Sequence, residues 1–148
     1  MSVDQKVALD LIETLEDGRE GFSKGAEKLD ESGAPELASS FRQFSQQRAR
    51  FSADLRALAA KYGDVADEGG SVAGKLHRGW LTVKDALTGS SPKGVLDAAE
   101  QGEDHAVKEY QKALGADISP ELRELLERQS AEVTVAHDQV RSMRESYS

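Results

Sequence analysis

The sequence predicts an all-α chain, a bundle of four long helices sharing one core. Three observations carry that reading. Apolar residues recur at spacings of three and four rather than two, so no strand pattern competes. All three prolines, Pro35, Pro92 and Pro120, stand where a helix would begin, two of them directly after a serine able to cap a free amide. Glycines at Gly33, Gly63, Gly89 and Gly115 stand where helices would stop, each able to take the left-handed conformation that closes one.

Taken in order, the first helix is expected over residues 4 to 31, with a stripe of Leu11, Leu15, Gly18, Phe22, Gly25 and Leu29. The second, over 35 to 62, carries Leu37, Phe41, Phe44, Phe51, Leu55, Leu58 and Tyr62, interrupted by Arg48 in an apolar slot. A shorter helix over 71 to 88 places Val72, Leu76, Trp80, Val83 and Leu87 on one side. The fourth, over 92 to 114, reads Leu96, Ala99, Glu103, Ala106, Tyr110 and Ala113. The fifth, over 120 to 146, reads Leu122, Leu126, Gln129, Val133, Ala136, Val140 and Met143. Short links join the first two and the last two long helices, so each pair is an antiparallel hairpin. The segment 63 to 91 is long enough to run the length of the bundle. Short, long, short is the one-crossover order of a ferritin-like four-helix bundle, here with an extra short helix in the crossover.

A chain of 148 residues suits a single domain, 1 to 148. With 27 acidic against 19 basic residues its net charge is -8, which disfavours a nucleic-acid partner, and no basic amphipathic helix suggests a membrane surface. The absence of cysteine removes disulfides, thiolate nucleophiles and thiolate zinc sites. The opening MSVDQKVALDL lacks a basic leader, and no later run is apolar enough to span a bilayer, so a cytoplasmic location is expected.

Gly18, Arg48, Glu103, Gln129 and Val133 all fall near the midpoints of their helices and should meet in one layer. An Arg and a Glu in apolar slots at one height would each be costly alone, so mutual pairing is the inexpensive resolution. Gly18 would leave room for the guanidinium, and Gln129 could satisfy a remaining donor or lone pair. The expected site is therefore a structural polar core of Gly18, Arg48, Glu103 and Gln129, with no cofactor and no catalytic residue.

The competing reading is iron in the same layer. A diiron bundle needs a Glu from each of two helices and Glu-x-x-His from the other two, and the sequence contains no Glu-x-x-His. Glu132 and His137 are five apart, about 140° around a helix. An atypical metal site would have to draw on Asp17, Glu20, Glu100, Glu103, Glu132 and His137. His77, His105 and His137 are spread over three helices, and His137 borders Val133 and Val140 near the core. No nucleophile with an adjacent base stands out.

Five motifs stand out together: TLEDGREGF at 14 to 22, QQRARF at 46 to 51, GSVAGKLHRGW at 70 to 80, EQGEDHAVKEY at 100 to 110 and ERQSAEVTVAHDQVR at 127 to 141. In combination they resemble a bacterial family of ferritin-like four-helix-bundle proteins carrying a domain of unknown function. Asp17, Gly18, Arg48, Glu103, Asp104, Gln129 and His137 match the family pattern, and Gln101 departs from it. The resemblance implies a ferritin-like fold in a stress-associated protein with no established enzyme activity. The expected role is thus non-enzymatic, through a homodimer or a protein partner; the alternative is an iron-binding protein or oxidoreductase.

Overall fold

The computed structural model describes residues 2–62 and 91–147, and these form four helices with no strand among them. Helix α1 spans Val3–Glu31, α2 Pro35–Ala59, α3 Pro92–Leu114 and α4 Pro120–Glu145, with a single 3-10 turn, Ala60–Tyr62, closing α2. The expected crossover helix over 71 to 88, with the stops at Gly63 and Gly89, lies outside the described residues.

Each helix start has a local cause. Ser2 and Gln5 form a reciprocal capping box at α1, Ser2 Oγ accepting from the Gln5 amide at 3.1 Å while Gln5 Oε1 accepts from the Ser2 amide at 2.8 Å. Ser91 Oγ accepts from the Gly94 amide at 3.2 Å, and Ser119 Oγ from the Leu122 amide at 3.3 Å, each with proline in the next position. Pro35 opens α2 without a side-chain cap, because Ala34 precedes it.

The helix ends differ from one another. At the end of α1, Gly33 takes φ 78°, and the amides of Gly33 and Ala34 donate back to the carbonyls of Asp30 and Leu29, the Schellman closure. Gly115 corrects the expectation of a second left-handed stop: its φ is -82°. The reason is Arg123, whose guanidinium donates to the carbonyls of Leu114 at 2.8 Å and Ala116 at 3.1 Å, covering the free carbonyl end that a left-handed residue would otherwise close. Helix α2 also stops earlier than residue 62, its last turn tightening to 3-10 geometry as helix ends often do.

The helices pack as a ring: α1 lies against α2 and α3, and α4 lies against α3 and more lightly against α2. Two apolar clusters fill the ring. One joins Leu11, Ile12 and Leu15 with Phe51, Leu55, Tyr110, Leu122 and Leu126. The other joins Phe22 and Leu29 with Phe41, Phe44, Leu96, Ala136 and Val140. The start of α1 therefore meets the ends of α2 and α3 and the start of α4. So α2 and α3 run parallel to each other and antiparallel to α1 and α4, and α3 begins at the end of the bundle opposite to where α2 stops. At the height between the two clusters, near the middles of α2, α3 and α4, the described residues bury polar side chains.

Candidate functional site: a buried polar layer

That height is occupied by charge. Arg48 projects from the middle of α2 and Glu103 from the middle of α3, 1% and 0% exposed. Arg48 Nη1 donates to Glu103 Oε1 at 2.6 Å and Nη2 to Oε2 at 2.7 Å, two parallel bonds in the fork geometry that guanidinium and carboxylate share. Burial works to lower the Arg48 pKa, but the charge and hydrogen bonds of Glu103 outweigh it and hold the guanidinium above its ordinary value. Arg48 stays protonated, and the pair is ionic.

The surroundings complete the pair. Arg48 Nε donates to Gln47 Oε1 at 3.1 Å, and the guanidinium carbon lies 5.3 Å from the centre of the Phe22 ring. Gly18 faces Arg48 so closely that a Cβ there would touch Nη1 at 3.4 Å and Cγ at 3.6 Å. Glycine at this point gives the guanidinium a smooth backbone wall, and a longer side chain would have to push it aside.

Gln129 is buried in the neighbouring space but serves a different bond from the one expected. Its Oε1 accepts from the Tyr110 hydroxyl at 2.8 Å, and its Nε2 donates to the Phe51 carbonyl at 3.1 Å. The third guanidinium nitrogen of Arg48, Nε, donates to Gln47, which reaches it from the adjacent position on the same helix. Burial pushes the Tyr110 phenol well above its ordinary value, with Arg48 pulling the other way, so the hydroxyl remains a donor. Tyr110, Gln47 and Phe22 are thus parts of the layer that the sequence reading missed. Tyr110 carried a signal, a polar tip on an apolar stripe that must find an acceptor.

The six residues of the atypical metal set are not brought together. Glu103 is committed to Arg48, Glu20 lies 3.1 Å from Lys24, and Glu100 lies 2.9 Å from Arg144. Glu132 is exposed. Asp17 is buried on the flank of α1, where it lines a hollow with Asp10, Glu13, His105, Glu109 and Lys112. His137 has both ring nitrogens against carboxylates, Nε2 at 2.6 Å from Asp104 and Nδ1 at 3.2 Å from Asp138. Among the described residues no group of three or more His, Asp or Glu side chains is arranged to hold a metal ion. Three of the carboxylates, Glu103, Glu20 and Glu100, are each paired with a separate cation, Arg48, Lys24 and Arg144.

No helix among the described residues is long and apolar enough to cross a membrane. On the outside, the seam between α2 and α4 carries Ser40, Gln43, Gln139 and Ser142 around Phe44, Val135 and Met143. Val135, 57% exposed, is one of three large apolar residues left open to solvent among the described residues. Residues 7–116 match the family described as Domain of unknown function (DUF2383), a match that takes in α1 from Val7 onward, α2 and all of α3 and stops before α4. No curated protein matches the chain.

Proposed function

The chain belongs to the DUF2383 family, and from that premise we propose that it is a ferritin-like bundle that works without catalysing a reaction. Its role is carried by its surface, through self-association, first as a homodimer, or through a protein partner. In this reading it is a cytoplasmic bacterial protein of the stress response, and the central layer serves to fix the register of the helices.

The observation that supports this reading is the bidentate, fully buried Arg48–Glu103 pair. In a metal-bearing bundle the mid-helix carboxylates are the ligands. Here both oxygens of Glu103 accept from a permanent cation, and a divalent ion entering the layer would meet that charge at close range in a medium of low dielectric. The ordering force that a metal would exert on four helices is supplied by an ion pair.

Anaerobic titration of the full chain with Fe(II), followed by exposure to oxygen, tests the proposal. The expected result is no stoichiometric iron and no oxo-bridged absorption band, with light scattering giving a mass above the 16.0 kDa of one chain or a specific complex with a partner. Stoichiometric iron with an oxo-diiron band would overturn it in favour of an iron protein or oxidoreductase.

A further inference from the structure

Where α3 meets α4, three acidic residues face three basic ones. Asp97, Glu100 and Asp104 follow each other on α3 at spacings of three and four, and His137, Arg141 and Arg144 on α4 at four and three. Each trio therefore lies along one helix face. Because the helices run antiparallel, the trios pair in reverse order: Asp104 with His137 at 2.6 Å, Glu100 with Arg141 at 3.4 Å and Arg144 at 2.9 Å, and Asp97 with Arg144 at 3.7 Å. Two of the cations are guanidiniums, charged at every physiological pH. The third is an imidazole, whose ordinary titration falls near neutrality.

The ring of His137 is held in a way only its charged form satisfies. A neutral imidazole has one N–H and can donate to one carboxylate, whereas the imidazolium donates from both nitrogens. His137 meets Asp104 on Nε2 and Asp138 on Nδ1, and its side chain is 12% exposed. When the proton leaves, one of the two carboxylates faces a nitrogen lone pair, and the bond to the other loses its charge assistance. Helix α4 is sensitive to this loss because it packs chiefly on α3 and only lightly on α2.

We propose that the α3–α4 seam is a proton-dependent clasp, in which the Asp104–His137–Asp138 rung holds α4 against the bundle while His137 is protonated and loosens it when that proton is lost. The clasp rests on the packing of these two helices alone and is independent of the role proposed above. The charged groups around the ring favour the proton. From α3 these are Asp104, with Glu100 one turn before it, neutralised by Arg144 and Arg141, and Lys108 one turn after it. From α4 they are Asp138, with Arg141 one turn on, itself engaged by Glu100. From α2, Gln47 lines the surface beside this part of α4, and the buried Arg48 is closed off by Glu103.

Burial alone would lower the His137 pKa, but the hydrogen bonds and charges of Asp104 and Asp138 raise it above its ordinary value. With the folded value above the unfolded one, the stabilisation is fully present below the ordinary histidine value and disappears as pH rises through the folded value. The two guanidinium rungs persist, so the response is a local opening of α4 rather than loss of the whole fold.

Hydrogen exchange of the full chain tests this, at low salt, over a pH range from one unit below to two units above the ordinary histidine value. After correction for intrinsic exchange, the opening equilibrium of α4 amides should rise with pH, by about tenfold for each unit separating the folded and unfolded values. Amides of α1 and α2 should stay level. In His137→Gln the α4 rise should vanish, and in Asp104→Asn it should move to lower pH. The ring nitrogens of the parent should both carry protons at the low end by nitrogen NMR. The proposal is overturned if α4 opening in the parent is flat across the range, if either variant retains the parent's rise unchanged, or if the ring is neutral at the low end.

Discussion

Glu103 has no contact with water, so its partner decides whether it is tolerable. Removing Glu103 leaves the Arg48 guanidinium buried with its charge uncompensated, and Glu103→Ala is expected to cost about 3 to 5 kcal/mol in urea unfolding. Replacing both members with apolar residues of similar size, Arg48→Met with Glu103→Leu, removes the charge and the need for it together, and should come out near neutral. An unfolding midpoint for Glu103→Ala equal to the parent's would mean that the guanidinium finds another partner or reaches water. Both residues stand out in the sequence because each interrupts an apolar stripe, and counting along the stripes brings them to the same height. The roles of Gln47, Gln129 and Tyr110 were not legible, because choosing among neighbouring polar groups depends on helix rotation to within a few ångströms.

At the scale of elements, helix starts were the clearest feature of the sequence, since proline after serine combines a fixed φ with a ready acceptor. Stops were clear in position and less clear in conformation: Gly33 closes α1 in the left-handed region, whereas Gly115 caps α3 at φ -82°, with Arg123 of α4 on the neighbouring carbonyls. An arginine on the next helix leaves no trace at the glycine itself. Glycines inside helices show the same division. A Cβ at Gly25 would fall 2.9 Å from Cδ2 of Phe41, whose ring is set edge-on against Phe22 with centroids 5.2 Å apart. Gly25→Ala should therefore cost about 1 to 3 kcal/mol of overpacking, more than the ~0.5 to 1 kcal/mol that alanine gains over glycine in a helix. At Gly18 the nearest contact is an ordinary 3.4 Å to a flexible guanidinium, so Gly18→Ala should unfold at or above the parent's midpoint. Thermal or urea unfolding of the two variants checks the contrast, and equal shifts would contradict it. The acidic and basic faces of α3 and α4 were present in the sequence as unremarkable charges. They became a seam only once the antiparallel order of the two helices set Asp104 opposite His137.

For the whole molecule, periodicity and link lengths were enough to read an all-helical bundle with hairpins at either end, because a bundle has few ways to bury four stripes. The wide buried arc of α1, which takes in Glu13 and Asp17 beside the leucine stripe, was not readable, since it arises from packing against two neighbours, α2 and α3. In the proposed reading an ion pair, with no metal, holds the middle of this bundle together. The most direct measurement is the unfolding midpoint of the full chain, first after exhaustive chelation and then with excess Fe(II) under nitrogen. A ligand that binds only the folded state adds about 2.7 kcal/mol when present at a hundred times its dissociation constant. The midpoint should be the same in both conditions, and a midpoint that falls on chelation and is restored by Fe(II) would mean that a metal, not the ion pair, holds the layer.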